Sequence, residues 1–287
     1  MKKGLLASCV IALLAGCRAT QPYVTASRLE RGLVIVLPGC EGRSLLNEAV
    51  CKGLNDAGLD WAIELSDWTS AWGPLYNLRA EERNRQQAAE IADRIVRYQL
   101  AYPGRPVVLV GHSGGGAVAA WTAEAMPPEH KVTGVIMLAV AISPTYMLDQ
   151  ALRNSARGII SFHSLRDWVL TGTRVAGTMD GEHGPSAGRV GFQIAGEADR
   201  PKIYDKLFQI PWQPEMSRTG HSGGHLGYAV ATFVASYVAP FVAAEDWNED
   251  VIGGVLQRQA AGAPPPPAST QPATSPSTTV PADASSR

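Results

Sequence analysis

The sequence has little of what nucleic-acid, metal or membrane-spanning proteins rely on. Its 25 Lys and Arg residues are balanced by 26 Asp and Glu, for a formal net charge of −1. No dense basic cluster stands out, which removes the electrostatic footprint expected of a nucleic-acid binder. Cysteine is scarce, with only Cys9, Cys17, Cys40 and Cys51. A metal site would need more ligands than Cys40 and Cys51 offer. The N-terminal apolar stretch "GLLASCVIALLAG" is too short for a comfortable membrane span. No internal repeat is visible. What the chain does have is length and apolar content: 287 residues, 45% of them hydrophobic, suit one medium domain with a sizeable core and unstructured ends.

The N-terminus reads as an export signal. Lys2 and Lys3 precede the apolar stretch, the order of a secretory peptide. It ends in "LAGC", Leu14 to Cys17, which resembles the lipobox of bacterial lipoproteins. That resemblance implies cleavage after residue 16, lipid on Cys17 and attachment to a bilayer in the cell envelope. Arg18 after the cysteine points to an outer membrane where the cell has one. Residues 17–30 are then expected to be a lipidated tether and 31–245 the folded domain. Residues 246–287 form a C-terminal extension, and from about residue 260 Pro, Ser, Thr and Ala dominate, a composition that builds no core. In an exported domain, Cys40 and Cys51 make an even pair for which a disulfide is expected.

Within the domain, short apolar runs alternate with helical patterns, which predicts an α/β fold with a mostly parallel sheet of about six strands flanked by helices. Strands are expected at 32–39, 60–68, 105–111, 131–143, 157–164 and 206–212. Helices are expected at 43–58, 78–103, 115–126 and 226–242. In the helix over 78–103, Ala88, Ile91, Ile95 and Tyr98 recur at three- and four-residue spacing. The stretch "TGTRVAGTMDGEHGPSAGRVGF" (171–192) is too glycine-rich for a crossover helix and is expected to be a long loop.

The pattern G-x-S-x-G occurs twice, as "GHSGG" at 111–115 and again at 220–224. Context separates the copies. Ser113 follows "VVLV" and precedes "AVAAW", a strand–turn–helix setting that holds a nucleophilic serine out from the backbone. Ser222 follows "PEMSRT", which is no strand. A phosphate loop is excluded because no lysine follows the glycines. A loose dinucleotide fingerprint at 114–119 lacks the acidic residue expected about twenty positions on.

On "VVLVGHSGG" and the order of elements around it, residues 31–243 resemble the α/β-hydrolase family. The family's chain order of nucleophile, acid and histidine implies Ser113, then Asp167 in "ISFHSLRDWVL", then His225 in "TGHSGGHLGYA". Asp149 and Asp180 are weaker alternatives for the acid, and His221 for the base. The resemblance implies an oxyanion hole from the Gly114 amide and that of Cys40 or Glu41. His112, Trp68, His183 and His221 are candidate substrate contacts. No cofactor and no metal are called for. The expected partners are a small-molecule acyl substrate and, through the anchor, a lipid bilayer. The expected reaction is acyl-ester hydrolysis through an acyl-enzyme. The same triad also serves thioesterases, amidases, peptidases and acyltransferases, and a non-catalytic envelope binding protein could keep the fold. Without a long apolar lid in the sequence, a small or medium ester is expected rather than a triglyceride.

Overall fold

A computed structural model describes residues 21–194 and 201–262. The expected signal peptide, Cys17 and the Pro/Ser/Thr-rich tail beyond residue 262 lie outside the described residues. Six strands form one sheet in the order β2-β1-β3-β4-β5-β6: β1 (Leu33–Leu37), β2 (Ala62–Leu65), β3 (Val107–His112), β4 (Gly134–Leu138), β5 (Ile159–His163) and β6 (Leu207–Pro211). Every neighbouring pair is parallel. β1, β3 and β4 are buried along their whole length. That explains their unbroken Val/Ile/Leu runs, because a parallel sheet is covered on both faces and leaves no polar side to alternate with.

Helices cover the two faces. Helix α1 (Leu45–Asp56) packs against the segment 231–238, and α2 (Glu81–Ala101) packs against α3 (Gly114–Glu124). Gly53 of α1 is required there. A Cβ on it would lie 2.5 Å from the Ala231 carbonyl oxygen. Helix α3 is buried over nearly its whole surface, which suits a run of Gly and Ala with no polar face.

Several expected boundaries move. The run 131–143 is a strand only to Leu138, because Ala139 adopts φ 50° and the chain turns out of the sheet. The expected helix over 78–103 is two helices, Pro74–Arg79 and α2, broken at Ala80 with φ −83° and ψ 57°. The expected terminal helix is a 3-10 turn His225–Ala229, then Ala231–Phe233, a π-helical turn Val234–Val238, and Ala239–Ala243. Pro240 has no N–H to continue an α ladder, and the wider turn lies just before it.

The ends of the described chain also pack more than their composition suggests. Gln21 donates to the Leu65 carbonyl (2.8 Å) and accepts from its amide (3.1 Å), while the Ile63 amide donates to the Tyr23 carbonyl. Residues 21–23 therefore cover the outer edge of β2, which would otherwise present unpaired backbone groups. At the other end, the Trp247 ring fills the space over Gly134 and donates to the Phe241 carbonyl. Helix α4 (Glu249–Ala260) follows, capped by Asn248. Residues 246–262 are thus part of the folded body.

Phe162 on β5 is the centre of an aromatic cluster with Tyr228, Phe233 and Phe241, at ring separations of 6.5, 5.7 and 6.3 Å. Phe162→Ala should therefore lower unfolding stability by about 3–5 kcal/mol, measured by urea denaturation. A loss below 1 kcal/mol would show that the cluster does not anchor this face.

Candidate active site

Strand order reverses between β1 and β3, because the chain leaves β1 toward β2 and then returns to the other side. Crevices at the carboxyl ends of strands open at such a switch point. The β3 run ends there in Ser113, with φ 55° and ψ −120°. A left-handed φ on a non-glycine residue costs of order 1–3 kcal/mol, so the surroundings must hold it. The Ser113 amide donates to the Leu138 carbonyl (2.9 Å), and its carbonyl accepts from the Gly116 and Ala141 amides (3.0 and 3.1 Å).

The flanking glycines have one purpose. A Cβ on Gly111 would lie 2.2 Å from the Gly115 carbonyl oxygen, and one on Gly115 would lie 2.2 Å from that of Leu37. Backbone meets backbone at this turn, and no side chain can yield. A Cβ on Gly114 would meet the Cys40 Sγ at 2.6 Å and the Met179 Sδ and Trp68 Cζ2 at 3.3 Å. The loop after β1 therefore closes directly on Gly114, which brings together the residues expected to carry the oxyanion donors.

Asp167 and His225 meet beside this turn, where the His112 ring lies 4.8 Å from that of His225. His225 Nδ1 lies 2.6 Å from Asp167 Oδ2, with the Asp167 carboxylate fully buried. A carboxylate accepts, so Nδ1 carries a proton. The other carboxylate oxygen accepts from the Leu170 amide (3.0 Å), the Asp167 amide donates to the Ser164 carbonyl, and Arg189 donates to the Asp167 carbonyl. These bonds hold both the backbone and the carboxylate of Asp167 in the loop after β5.

Residues 14–213 match the family described as the alpha/beta hydrolase family. The chain belongs to that family. No curated protein matches the sequence. Among solved structures, it resembles lipase B of Aspergillus fumigatus at 11% identity and a TM-score of 0.50, over 83% of this chain and 64% of the lipase. The chain therefore spans less than two thirds of that lipase. It also resembles the esterase domain of a Rhodothermus marinus protein (13% identity, TM-score 0.43, 76% of this chain and 88% of that one). A third likeness is to TT1662 of Thermus thermophilus (15%, 0.43, 80% and 89%). At these identities the likeness is one of fold.

The other expected site residues divide sharply. Trp68 is buried and donates to the Pro38 carbonyl at 2.7 Å, so it supports the Gly114 turn and offers no surface to a ligand. His112 is also buried and does not face a substrate. Its Nε2 lies 3.1 Å from the His225 carbonyl, which can only accept, so His112 donates and ties the serine turn to the histidine loop. Burial, with the neighbouring His225 ring, pushes the His112 pKa down to about 3. His183 is exposed in the segment after β5. Glu41 accepts from Asn47 Nδ2 at 3.0 Å. Asp149 accepts from the Tyr204 hydroxyl, and Asp180 from the Ser143 amide and the Thr178 hydroxyl, so both have structural partners. Ser222 is exposed between buried His221 and Gly223, after the 3-10 helix Pro214–Thr219.

The glycine-rich segment 171–192 is stitched to the turn after β4. Met179, Ala187 and Gly188 amides donate to the carbonyls of Ala141, Ile142 and Val140. The expected Cys40–Cys51 disulfide is absent, and both thiols are free. Cys40 Sγ packs on Met179 Sδ at 3.7 Å and on the Gly114 turn, while Cys51 is buried on α1. Burial pushes each thiol up to about 12. Among residues that sequence reading missed, Asn77 is the clearest. It is buried and donates to the Cys40 carbonyl at 2.9 Å, while its Oδ1 accepts from the Ser70 amide. A buried Asn on a short helix gives no sequence signal for such a long-range bond.

His221 is fully buried against the rings of Tyr228 and Phe233, at 4.1 and 4.7 Å, and its Nδ1 accepts from the Gly223 amide. Gly227 permits this, since a Cβ there would lie 1.9 Å from Nδ1. Burial holds the His221 pKa at about 4, against an ordinary 6.5. The unfolded chain thus takes up a proton at a pH where the folded chain refuses it. The stability from neutral His221 is complete above about pH 6.5 and is lost as pH falls toward 4, at about 1.4 kcal/mol per pH unit. His112 adds to the same slope. Urea midpoints between pH 7 and 4.5 should fall less steeply in His221→Phe than in wild type, by about one proton's worth. Equal slopes would show that His221 takes up its proton in the folded state.

Proposed function

We propose that this protein is a serine hydrolase that cleaves an acyl ester through Ser113, His225 and Asp167. The observation that carries the reading is the buried His225 Nδ1–Asp167 Oδ2 contact of 2.6 Å at the same sheet edge as the strained Ser113 turn. Asp167 holds the imidazole in the tautomer with a free Nε2 and stabilises the imidazolium when it forms. His225 removes the Ser113 proton as the hydroxyl attacks the carbonyl carbon. The amides of Gly114 and of Cys40 or Glu41 receive the developing oxyanion, a contribution typically worth about 3–4 kcal/mol per donor. His225 then protonates the leaving alcohol. Water repeats the sequence on the acyl-enzyme and restores Ser113.

His112 acts on this site as a positioning residue, because its donated bond fixes the backbone of the base relative to the nucleophile. In the cell, residues 1–16 serve as an export signal and Cys17 as the lipid acceptor, a reading that rests on the sequence alone.

A fluorophosphonate probe should label the wild type and Ser222→Ala but not Ser113→Ala. Loss of labelling only in Ser222→Ala would overturn the assignment, and no labelling of wild type would favour a binding protein. His225→Ala should abolish turnover of a p-nitrophenyl ester. His221→Ala should keep measurable turnover at neutral pH, and a reversal would exchange their roles.

The His112 role has its own test. Gln at this position can still donate, whereas Phe leaves the buried His225 carbonyl unpaired, a loss of about 1–3 kcal/mol. His112→Phe should therefore lower kcat on the order of tenfold or more with little change in KM, and His112→Gln should recover much of it. Equal activity in the two variants would remove the positioning role.

A further inference from the structure

The loop after β1 is held by its carbonyls. Trp68 Nε1 donates to the Pro38 carbonyl (2.7 Å), Asn77 Nδ2 to that of Cys40 (2.9 Å) and Asn47 Nδ2 to that of Gly42 (3.1 Å). All three donor residues are buried. Within the loop, the Gly42 amide donates to the Gly39 carbonyl at 3.0 Å. That bond closes a four-residue turn with Cys40 and Glu41 at its centre. Among the described residues, neither the Cys40 nor the Glu41 amide donates to a protein oxygen. Both N–H groups are thus available to a ligand, and the Cys40 thiol lies against the Gly114 turn.

Asn77 bears on this turn in a way that Trp68 and Asn47 do not. The Cys40–Glu41 peptide is the middle one of the turn, and its plane is what turns over between the two common turn types. Rotation would carry the Glu41 N–H away and bring the Cys40 carbonyl oxygen to the face that the N–H had occupied. A lone pair would then stand where a developing oxyanion needs a donor. The turned-over form also needs a left-handed φ at Glu41, which Glu41 does not adopt. The Asn77 bond opposes rotation directly, because it grips the carbonyl that would move. Asn77 is itself fixed on the short helix Pro74–Arg79. Its Oδ1 accepts from the Ser70 amide and hydroxyl (2.9 and 3.0 Å), and its Nδ2 also meets the Ser70 carbonyl (3.3 Å). Asn84 Nδ2 of α2 donates to the Asn77 main-chain carbonyl at 2.6 Å. Both donors and both lone pairs of the side-chain amide are used. A buried amide with no spare partner supports a geometry and does not bind substrate.

We propose that Asn77 is a positioning residue for the oxyanion donors, holding the Cys40–Glu41 peptide so that an N–H and not a carbonyl faces the reacting oxygen. The role rests on the reading of Ser113 as nucleophile and of this loop as one side of the oxyanion hole. Asn77 touches neither substrate nor oxyanion and acts only through the turn. Its effect falls on the transition state, because full negative charge on the oxygen develops only there.

Asn77→Asp tests this. The carboxylate keeps the size of the side chain and still accepts from Ser70, but it has no proton to donate to the Cys40 carbonyl at neutral pH. With a p-nitrophenyl ester, kcat should fall on the order of tenfold to a hundredfold, with KM within about twofold. A trifluoromethyl ketone gives a second readout. Ser113 Oγ adds to its carbonyl carbon, the serine proton passes to His225, and the carbonyl pair becomes an oxyanion. Affinity for the ketone should fall by about the same factor as kcat/KM. Ser70→Ala removes one bond to Asn77 and leaves the Cys40 bond, so it should keep kcat within about twofold. Urea midpoints identify the folded variants, and Asn77→Ala replaces Asn77→Asp if the buried carboxylate prevents folding. In wild type, forming the ketone adduct should move the Cys40 or Glu41 amide proton downfield in its NMR spectrum. No movement of either, unchanged kcat in a folded Asn77 variant, a loss confined to KM, or undiminished ketone affinity would each overturn the proposal. Wild type with no Ser113-dependent turnover would remove the hydrolase reading and this role with it. Ser113-dependent turnover that the Asn77 variants leave unchanged would remove this role alone.

Discussion

Everything at the candidate site depends on backbone packed against backbone where β3 turns into α3. With Gly115 so near Leu37 and Gly111 so near Gly115, the turn has no room for a Cβ. That closeness goes with the φ of 55° at Ser113, a residue left half-buried between a buried strand and a buried helix. It also sets the first turn of α3 against the loop after β1, where Gly114 and Cys40 meet. The strain persists because the interior around it is close-packed and cannot relax locally. β1, β3 and β4 are buried throughout, and α3 has almost no exposed surface.

A second constraint ties the mobile chemistry of histidine to this rigid centre. Asp167 and His225 both come from loops, which are ordinarily the more variable parts of a fold. Here each loop is fastened by several bonds. Asp167 is held through Ser164, Leu170 and Arg189, and His225 through Asp167 on its ring and His112 on its carbonyl. The segment 171–192 does similar work without a helix of useful length, by bonding to the turn after β4. Its glycines allow that approach. Gly188 lies so near Ala139 and Val140 that a Cβ would touch their backbone at 2.2 Å.

Much of the fold was legible because burial leaves a mark on composition. Strands covered on both faces read as unbroken apolar runs, and α2 reads as a helix because one face is wet and the other dry. The strand–turn–helix setting of Ser113 was legible for the same reason, as was the lack of a strand before the second "GHSGG". Boundaries were less so. The apolar run 131–143 conceals a turn at Ala139, because residues in a buried loop are as apolar as residues in a buried strand. The split of the last helix follows from Pro240, yet the π-helical turn before it depends on packing. The disulfide expectation failed because an even count of cysteines says nothing about direction. Cys40 points to Met179 and Gly114, and Cys51 is held within α1.

The sequence by itself determined the class of fold, the family and the candidate nucleophile, since each rests on local pattern: apolar runs, a turn motif and the elements beside it. Only the tertiary structure decided the roles of residues that share a letter. His112, His221 and His225 are the same side chain in one small region. One is a buried donor to a carbonyl, one a neutral ring among aromatics, and one the partner of a carboxylate. Residues far apart in the chain make those environments, and no local pattern encodes which nitrogen meets which atom. The same holds for the tryptophans. Trp68 and Trp72 are four positions apart, yet one is sealed beneath Gly114 and the other stands in solvent. Which of them is wet depends on what the rest of the chain has already covered.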